Sequence, residues 1–347
     1  MLEFRSPYAV TMTLTQLAHE LNLSIATISR ALNRPTDVAA QTRQRVLAAV
    51  HRYGYVPNGS RRALRTQQTR TIGVVVSDIR NTFFASIVKA VDDVARANGY
   101  TVLICNADED SAKEEAALQL LLDRKVSGVI NCSTGANLQL LRAFQQSGAI
   151  LVDLDRESGL EHVDTVIVDN ERGAALAVEH LVGLKHREIA TIAGPQHLSN
   201  ARGRLAGFRY TLDKFSIPLR RRNIQLGDFK QESGYHAAKK LLSRKNRPTA
   251  IFSANIEMTA GLVAYVRQAG IAIPKELSIV SFDDAFWTRY IDPPLTVITQ
   301  PMDVMGKCAM ELLLARLRGG KPRQSQIFAP ELIVRGSTAP LRARDVS

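Results

Sequence analysis

The chain has 347 residues, 45% hydrophobic and 22% charged, with 45 Lys or Arg against 33 Asp or Glu and a formal net charge of +12. That length exceeds one typical domain and suffices for two or three folding units with sizeable cores. No apolar run approaches the roughly 18 to 20 residues of a membrane span, and the opening MLEFRSPYAV lacks a signal peptide's long apolar core, so a cytoplasmic protein without a membrane partner is expected.

The charge is uneven. Residues 1 to 70 hold ten Lys or Arg and three Asp or Glu, an excess of +7, while the other 277 carry +5. This concentration favours a polyanion partner for the first segment over a merely solvated basic tail. Within it, "TLTQ" at 13 to 16 is a capping box in which Thr13 and Gln16 satisfy each other's helix-start amides. Leu14, Leu17, Ala18 and Leu21 follow as one apolar stripe. After the short link Asn22-Leu23, Ser24 caps a second helix whose stripe is Ile28, Ala31 and Leu32. A third helix is expected at about 41 to 53, with Val46, Ala49, Val50 and Tyr53 inward, and the first two helices read as a helix-turn-helix.

The face opposite the second helix's stripe carries Ala26, Ser29, Arg30 and Asn33, with Ile25 at its edge. It is small, polar and singly charged, where a solvated face usually carries several Lys and Glu. Against DNA, Arg30 suits a guanine edge or a phosphate, Ser29 and Asn33 suit phosphates or bases, and Ala26 or Ile25 suits a thymine methyl.

From residue 71 short apolar runs alternate with amphipathic stretches. Strands are predicted at "TIGVVVS", "TVLICN", "VSGVIN", "ILVDL", "TVIVD", "IATIAG", "AIFSA" and "LSIVSF". Helices are predicted over 84–98, 111–124, 171–184, 202–215, 232–244 and 257–269. Continuous Val/Ile/Leu runs mark strands covered on both faces, hence an α/β body with parallel sheets. Cys105, Cys132 and Cys308 lie inside apolar runs without a C-x-x-C pair and read as buried free thiols, with no metal site. There is no G-x-S-x-G elbow, no phosphate loop and no nucleophile to pair with His186 or His197, so neither catalysis nor a cofactor is expected.

"LTQLAHELNLSIATISRALN" followed by "TRQRVLAAVHRYGYVPN" resembles the amino-terminal domain of the lactose-repressor family of bacterial transcription regulators. The resemblance continues through "TIGVVVSDIRNTFF", "AGPQHLSNARGRLAGF", "PTAIFSAN", "LSIVSFDD", "DPPLTVITQP" and "LIVRGST", spanning roughly residues 13 to 338. It implies a helix-turn-helix head over 11–57 and a hinge helix and linker over 58–70. It further implies a two-lobed body resembling periplasmic sugar-binding proteins: a first lobe of 71–163 with 296–328 and a second of 164–295 with 329–340. The implied partners are operator DNA, a small polar effector between the lobes (a sugar, sugar derivative or nucleoside) and a second copy of the chain; the family's tetramer-forming tail has no counterpart after "IVRGSTAP".

Carried over residue by residue, Ser24, Ile25, Ala26, Thr27, Ser29, Arg30 and Asn33 occupy the major-groove helix. Asn58, Arg61 and Leu64 occupy the hinge, with Leu64 as the wedge that opens a base step at a cost of a few kcal/mol. Two positions depart from the pattern: Arg61 replaces a small alanine, and Ala39 replaces a Ser cap, a loss of about 1 kcal/mol. Ile25 and Ala26 stand where relatives carry larger polar readers, which implies methyl contact and shape. For the effector the resemblance implies Phe83, Phe84, Asp155, Arg204, Asn255 and Asp283, at strand ends where α/β sheets bind ligands. Asn255 is followed by Ile256 where the family commonly has Asp. A transport component would share the lobes but not the basic helix-turn-helix.

Overall fold

The structure, a computed structural model, describes residues 12–33, 35–53, 69–320 and 325–341. It separates into two compact units, Met1–Gln68 and Thr69–Ser347. In the first, Thr13 Oγ1 accepts from Gln16 N at 3.3 Å and Gln16 Oε1 accepts from Thr13 N at 2.7 Å, so the capping box starts α1 (Leu14–Leu21). Asn22 stops it in the left-handed region, φ 53°, a conformation that Asn tolerates better than most side chains. Ser24 Oγ then accepts from Thr27 N at 3.1 Å and opens α2 (Ile25–Asn33). With α3 (Ala40–Tyr53) these helices bury Leu17, Ala18, Ile28, Ala31, Val46 and Ala49. At the start of α3, Ala39 supplies only its carbonyl, to Arg43 N at 3.0 Å.

The second unit holds two six-stranded sheets. The first comprises β1 (Thr71–Val76), β2 (Thr101–Asn106), β3 (Gly128–Asn131), β4 (Ile150–Leu154), β5 (Asp164–Val168) and, from much later in the chain, β11 (Ser325–Phe328), in the order 11-5-4-3-1-2. The second comprises β6 (Ile189–Ala193), β7 (Ile224–Leu226), β8 (Ala250–Ser253), β9 (Ser278–Phe282), β10 (Thr296–Thr299) and β12 (Glu331–Ile333), in the equivalent order 12-10-9-8-6-7. All pairings are parallel except β10 with β12. Central strands β6, β8 and β9 are buried throughout, as their unbroken apolar runs require.

Helices α4 (Thr82–Ala97), α5 (Ser111–Asp123) and α6 (Leu138–Gln146) cover the first sheet, and α7 (Asn170–Gly183), α8 (Ser199–Lys214), α9 (Gln231–Leu242) and α10 (Ile256–Gln268) the second. α11 (Met302–Leu317) returns to the first lobe, burying Met305, Ala309, Met310 and Leu313 in the cluster that holds Ile72, Val74 and Ile87.

Two expected lobe boundaries are corrected. β5 pairs with β4 and β11 and so belongs to the first sheet, which moves the first crossing from 163 to Asp169. β10 pairs with β9 and β12 in the second sheet, which moves the second crossing from 295 to Gln300-Pro301. The third crossing joins Phe328 to Glu331. The physical reason is that a short Val/Ile run carries no mark of which sheet it enters. The cysteines also differ from expectation, since only Cys132 is fully buried while Cys105 and Cys308 are half-buried.

Gly207 allows α8 to lie against α7, because a Cβ there would overlap the carbonyl oxygen of Glu171. Gly207→Ala is therefore expected to lower stability by about 1–3 kcal/mol. Urea denaturation measures this; an unchanged midpoint would mean that α8 can shift outward freely.

Candidate DNA-reading face and effector cleft

In the head, α2 turns Ile28 and Ala31 into the core and leaves Ser24, Ile25, Ala26 and Arg30 exposed. Ile25 is 47% exposed, an apolar side chain available for contact beside Ala26. Arg30 Nε donates to Ala26 O at 3.3 Å, which lays its stem along the helix. Thr27 is half-buried and its hydroxyl lies 2.8 Å from that of Ser24, so these two side chains brace the helix start. Ser29 is half-buried. The side chain of Asn33 and the residues Asn58, Arg61 and Leu64 lie outside the described residues.

In the body, a cleft nearly filled by its own side chains, with about 10 Å³ of space left inside, lies past the carboxyl ends of both sheets, the usual ligand position of such folds. The first lobe lines it with Asn81, Phe83, Phe84, Glu109, Asp155 and Arg156. The second lines it with Asn200, Arg204, Phe229, Asn255 and Asp283, and the second crossing adds Gln300. Asp155 and Asp283 follow equivalent strands, β4 and β9, and both adopt left-handed backbone, φ 64° and 75°. Such conformations in a non-glycine residue concentrate at binding sites, where the surroundings over-determine them.

Arg204 is the hub. Its Nε donates to Asn170 Oδ1 at 2.8 Å and its Nη1 to Ala254 O at 2.7 Å, while the guanidinium lies 3.6 Å from the centre of the Phe282 ring. Asp155 Oδ1 approaches Nη2 at 3.9 Å and Asp283 Oδ2 approaches Nη1 at 4.0 Å. Asp283 Oδ1 accepts from Gln300 Nε2 at 2.6 Å.

Asp155 joins the lobes. Its Oδ2 accepts from Asn200 Nδ2 of the second lobe at 2.8 Å, and next to it Glu157 N donates to Ser199 Oγ at 2.9 Å. Arg156 forms a two-pronged pair with Glu109 at 2.8 and 2.5 Å and lies 5.5 Å from the centre of the Phe229 ring across the cleft. Burial pushes the Asp155 and Asp283 carboxyls above the usual carboxylate range, opposed by Arg156 and Arg204 at the first and by Arg204 and Gln300 at the second. Asp155 Oδ1, Gln300 Oε1 and Arg156 Nε are buried without a hydrogen-bond partner.

The six effector residues expected from the sequence all line this cleft. Their availability differs. Asn255 Oδ1 already accepts from Met258 N at 2.9 Å to cap α10, and Ile256 beside it is buried. Phe83 and Phe84 are both buried, packed edge to face with centres 5.0 Å apart. Asp284 is structural, bonded to Arg335, Arg289 and Thr288. His186 is structural too, with Nδ1 at Thr249 Oγ1 and Nε2 at Ser278 Oγ.

Sequence reasoning misses Glu109, Arg156, Asn200, Phe229 and Gln300 as cleft residues. In the sequence Arg156 reads only as a partner for Asp155, and Gln300 lies in "VITQP" without a motif of its own. Glu109 and Phe229 sit in loops with left-handed backbone, φ 54° and 66°, where no periodic pattern exists to reveal them. Among the described residues no group of His, Cys, Asp and Glu could hold a metal ion, and no helix is long and apolar enough to cross a membrane.

Residues 13–58 match the family described as "Bacterial regulatory proteins, lacI family", and residues 178–338 match "Periplasmic binding protein-like domain". The chain is 31% identical over 334 residues to the HTH-type transcriptional repressor PurR of Photobacterium profundum, covering 95% of this chain and 99% of that protein. It is similar to the structure of the lac repressor dimer bound to operator and the anti-inducer ONPF, with 29% identity, 95% and 99% coverage and a TM-score of 0.81. It is also similar to a LacI family transcriptional regulator from Enterococcus faecium with bound ribose, with 31% identity, 78% and 100% coverage and a TM-score of 0.71.

Behind the cleft, Asp153 Oδ2 accepts from Ser158 N and Oγ at 2.7 and 2.8 Å and so pins the loop that carries Asp155 and Arg156. Burial raises this carboxyl from 3.8 to about 6, against the pull of the Ser158 bonds. The folded state therefore holds the proton more tightly than the unfolded chain. Stability from this group is fully present below about pH 4 and is lost as pH rises through about 6, by at most about 3 kcal/mol. Denaturant melts of the native chain and Asp153→Asn between pH 4 and 7.5 should show their difference shifting against the native chain over that window; a constant difference would refute the assignment.

Proposed function

The chain belongs to the lacI family of bacterial regulatory proteins, and on that premise we propose how its sites divide the work. It is a DNA-binding transcriptional repressor whose operator affinity is controlled by a small effector. Two copies pair, as in the lac repressor dimer, and each presents α2 to a half-site. Ile25 and Ala26 supply methyl contacts, and Arg30 supplies a charged contact to a guanine edge or a phosphate. Asn58, Arg61 and Leu64 follow as the hinge, with Leu64 entering a base step.

The effector is a neutral monosaccharide. The observation that carries this reading is the set of buried polar atoms without a hydrogen bond: Asp155 Oδ1 and Gln300 Oε1 accept, and Arg156 Nε donates. A sugar hydroxyl both donates and accepts, so one polyhydroxylated ring can satisfy all three. Carboxylates flank Arg204 on two sides and Glu109 occupies Arg156, which leaves no cation among the described cleft residues free for an anionic ligand. The ribose-bound Enterococcus faecium relative supports the same class. The purine reading that the PurR relatives suggest would place a base between Phe83, Phe84 and Phe229 and leave Asp155 Oδ1 needing a ring N–H.

Control follows from a difference in affinity between two arrangements of the lobes. Asn200 to Asp155 and Ser199 to Glu157 already bridge the lobes. A ligand that satisfies the three remaining atoms favours the bridged arrangement, and the change is carried through the three crossings to the linker. The cleft groups bind and orient; none is assigned a catalytic role.

Titration calorimetry of the full chain with ribose, other pentoses, hexoses, a disaccharide and purine bases tests the class. A pentose is expected to bind, and Asp155→Asn, which keeps the volume, is expected to weaken it by about 1–3 kcal/mol. Binding of purines alone would replace the sugar reading.

For the head, Arg30→Ala is expected to weaken operator binding by about 1–3 kcal/mol while leaving effector binding intact. Gel shifts on a selected operator measure it; native affinity in the variant would remove Arg30 from the reading face.

A further inference from the structure

The first sheet carries opposite charge at its two ends. Its carboxyl end is the cleft, where Asp78 follows β1, Asp108 and Glu109 follow β2 and Asp155 follows β4. Its amino end carries Arg70, Arg124, Lys125, Arg142, Arg316 and Arg318, brought from separate segments by the parallel pairing of β1 to β5. Thr69 Oγ1 donates to Lys125 O at 2.6 Å, Thr101 N to Arg70 O at 2.9 Å and Ile150 N to Ser127 O at 3.2 Å, which locks these chain turns side by side. Arg318 Nη2 reaches Asn98 Oδ1 at 2.8 Å just before β2. At the far side Arg142 and Arg316, with His162, line an open depression of about 720 Å³.

The acids at this end do not balance it. Asp164 is buried, with Arg316 Nε at 3.7 Å, and Asp123 accepts from Gln119 at 2.9 Å. Glu161 is exposed. Arg70, Arg124, Lys125, Arg142 and Arg318 are all exposed. Cations near helix carboxyl ends are favoured by the helix dipole, which accounts for Arg124, Arg316 and Arg318. It does not account for Arg70 before β1, for Lys125 beyond the helix, or for Arg142 in the middle of α6.

This end is also where the chain enters the body. Residues 54–68 join the head to Thr69, and β1 begins at Thr71. We propose that the amino end of the first sheet is a second, sequence-independent DNA contact that meets phosphates of the duplex flanking the operator. The proposal rests on the DNA-binding reading of the head and adds a surface to it. Guanidinium and ammonium groups neutralise phosphate without reading bases, so the contact raises affinity for any duplex and steepens its salt dependence. The cleft at the other end stays free for a neutral ligand, because the cations that meet the polyanion lie away from it.

The test compares the full native chain with Arg124→Gln/Lys125→Gln/Arg142→Gln on a mixed-sequence duplex of about 60 base pairs, by fluorescence anisotropy across a salt series. Removing one phosphate contact should reduce the slope of log K against log salt by about 0.9, approaching about 2.7 for all three, with affinity at about 0.1 M salt falling roughly 10- to 100-fold. Arg124→Lys/Arg142→Lys, which keeps the charge, should retain the native slope, and pentose binding should be unchanged in both variants. Native DNA binding together with an unaltered slope in the glutamine variant overturns this proposal alone. Failure of the native chain to bind duplex DNA at all overturns the reading of the head and this proposal with it.

Discussion

A buried carboxylate shared between two lobes is the constraint on which the body depends. Asp155 is 3% exposed, and a charge so far from water is tolerated only when paired and hydrogen-bonded. Its partners come from both sides: Arg156 from its own lobe, Asn200 and, at longer range, Arg204 from the other. The left-handed backbone at 155 aims the carboxylate across the cleft, and the equivalent conformation at Asp283 aims a second one back. One oxygen of Asp155 is consumed by the lobe bridge and the other makes no hydrogen bond, with Arg204 Nη2 3.9 Å away. The lobe bridge and an oxygen without a hydrogen bond therefore belong to a single side chain.

The head is organised on the opposite principle. Its own hydrogen bonds are spent at helix ends: Thr13 with Gln16, Ser24 with Thr27, Arg45 Nη2 on Leu21 O at 3.3 Å and Tyr53 on Glu20 at 3.1 Å. A core of six small and medium apolar side chains holds the three helices, and the outward face of α2 keeps Ile25, Ala26 and Arg30 at the surface. In the cleft, polar groups are buried and most are partnered in advance, with Asp155 Oδ1, Arg156 Nε and Gln300 Oε1 the exceptions. On the head they stay solvated until a polyanion displaces water and counterions. The first sheet repeats this division within one lobe, with carboxylates toward the cleft and cations at the end where β1 begins.

The legible parts of the sequence are those with local periodicity or capping chemistry. The capping box, the paired stripes of α1 and α2, and the eight apolar strand runs all correspond to elements of the structure. The motif matches locate six cleft residues. Short or weakly patterned elements escape: α6, α11, β7 and the strands β10 to β12 depend on tertiary partners rather than on their own periodicity. Arg156, Asn200 and Phe229 escape for the same reason. Nothing local distinguishes a buried Arg that lines a cleft from one on a surface.

The sequence by itself determined the helix-turn-helix, the α/β character of the body and the positions where strand ends could carry binding groups, because caps and burial periods act over a few residues. Only the tertiary structure decided which sheet β5 and β10 join, where the chain crosses between lobes, and how Asp155, Arg204 and Asp283 meet. Those outcomes are set by hydrogen-bond register and side-chain contact between segments far apart in the chain, and no local pattern encodes them.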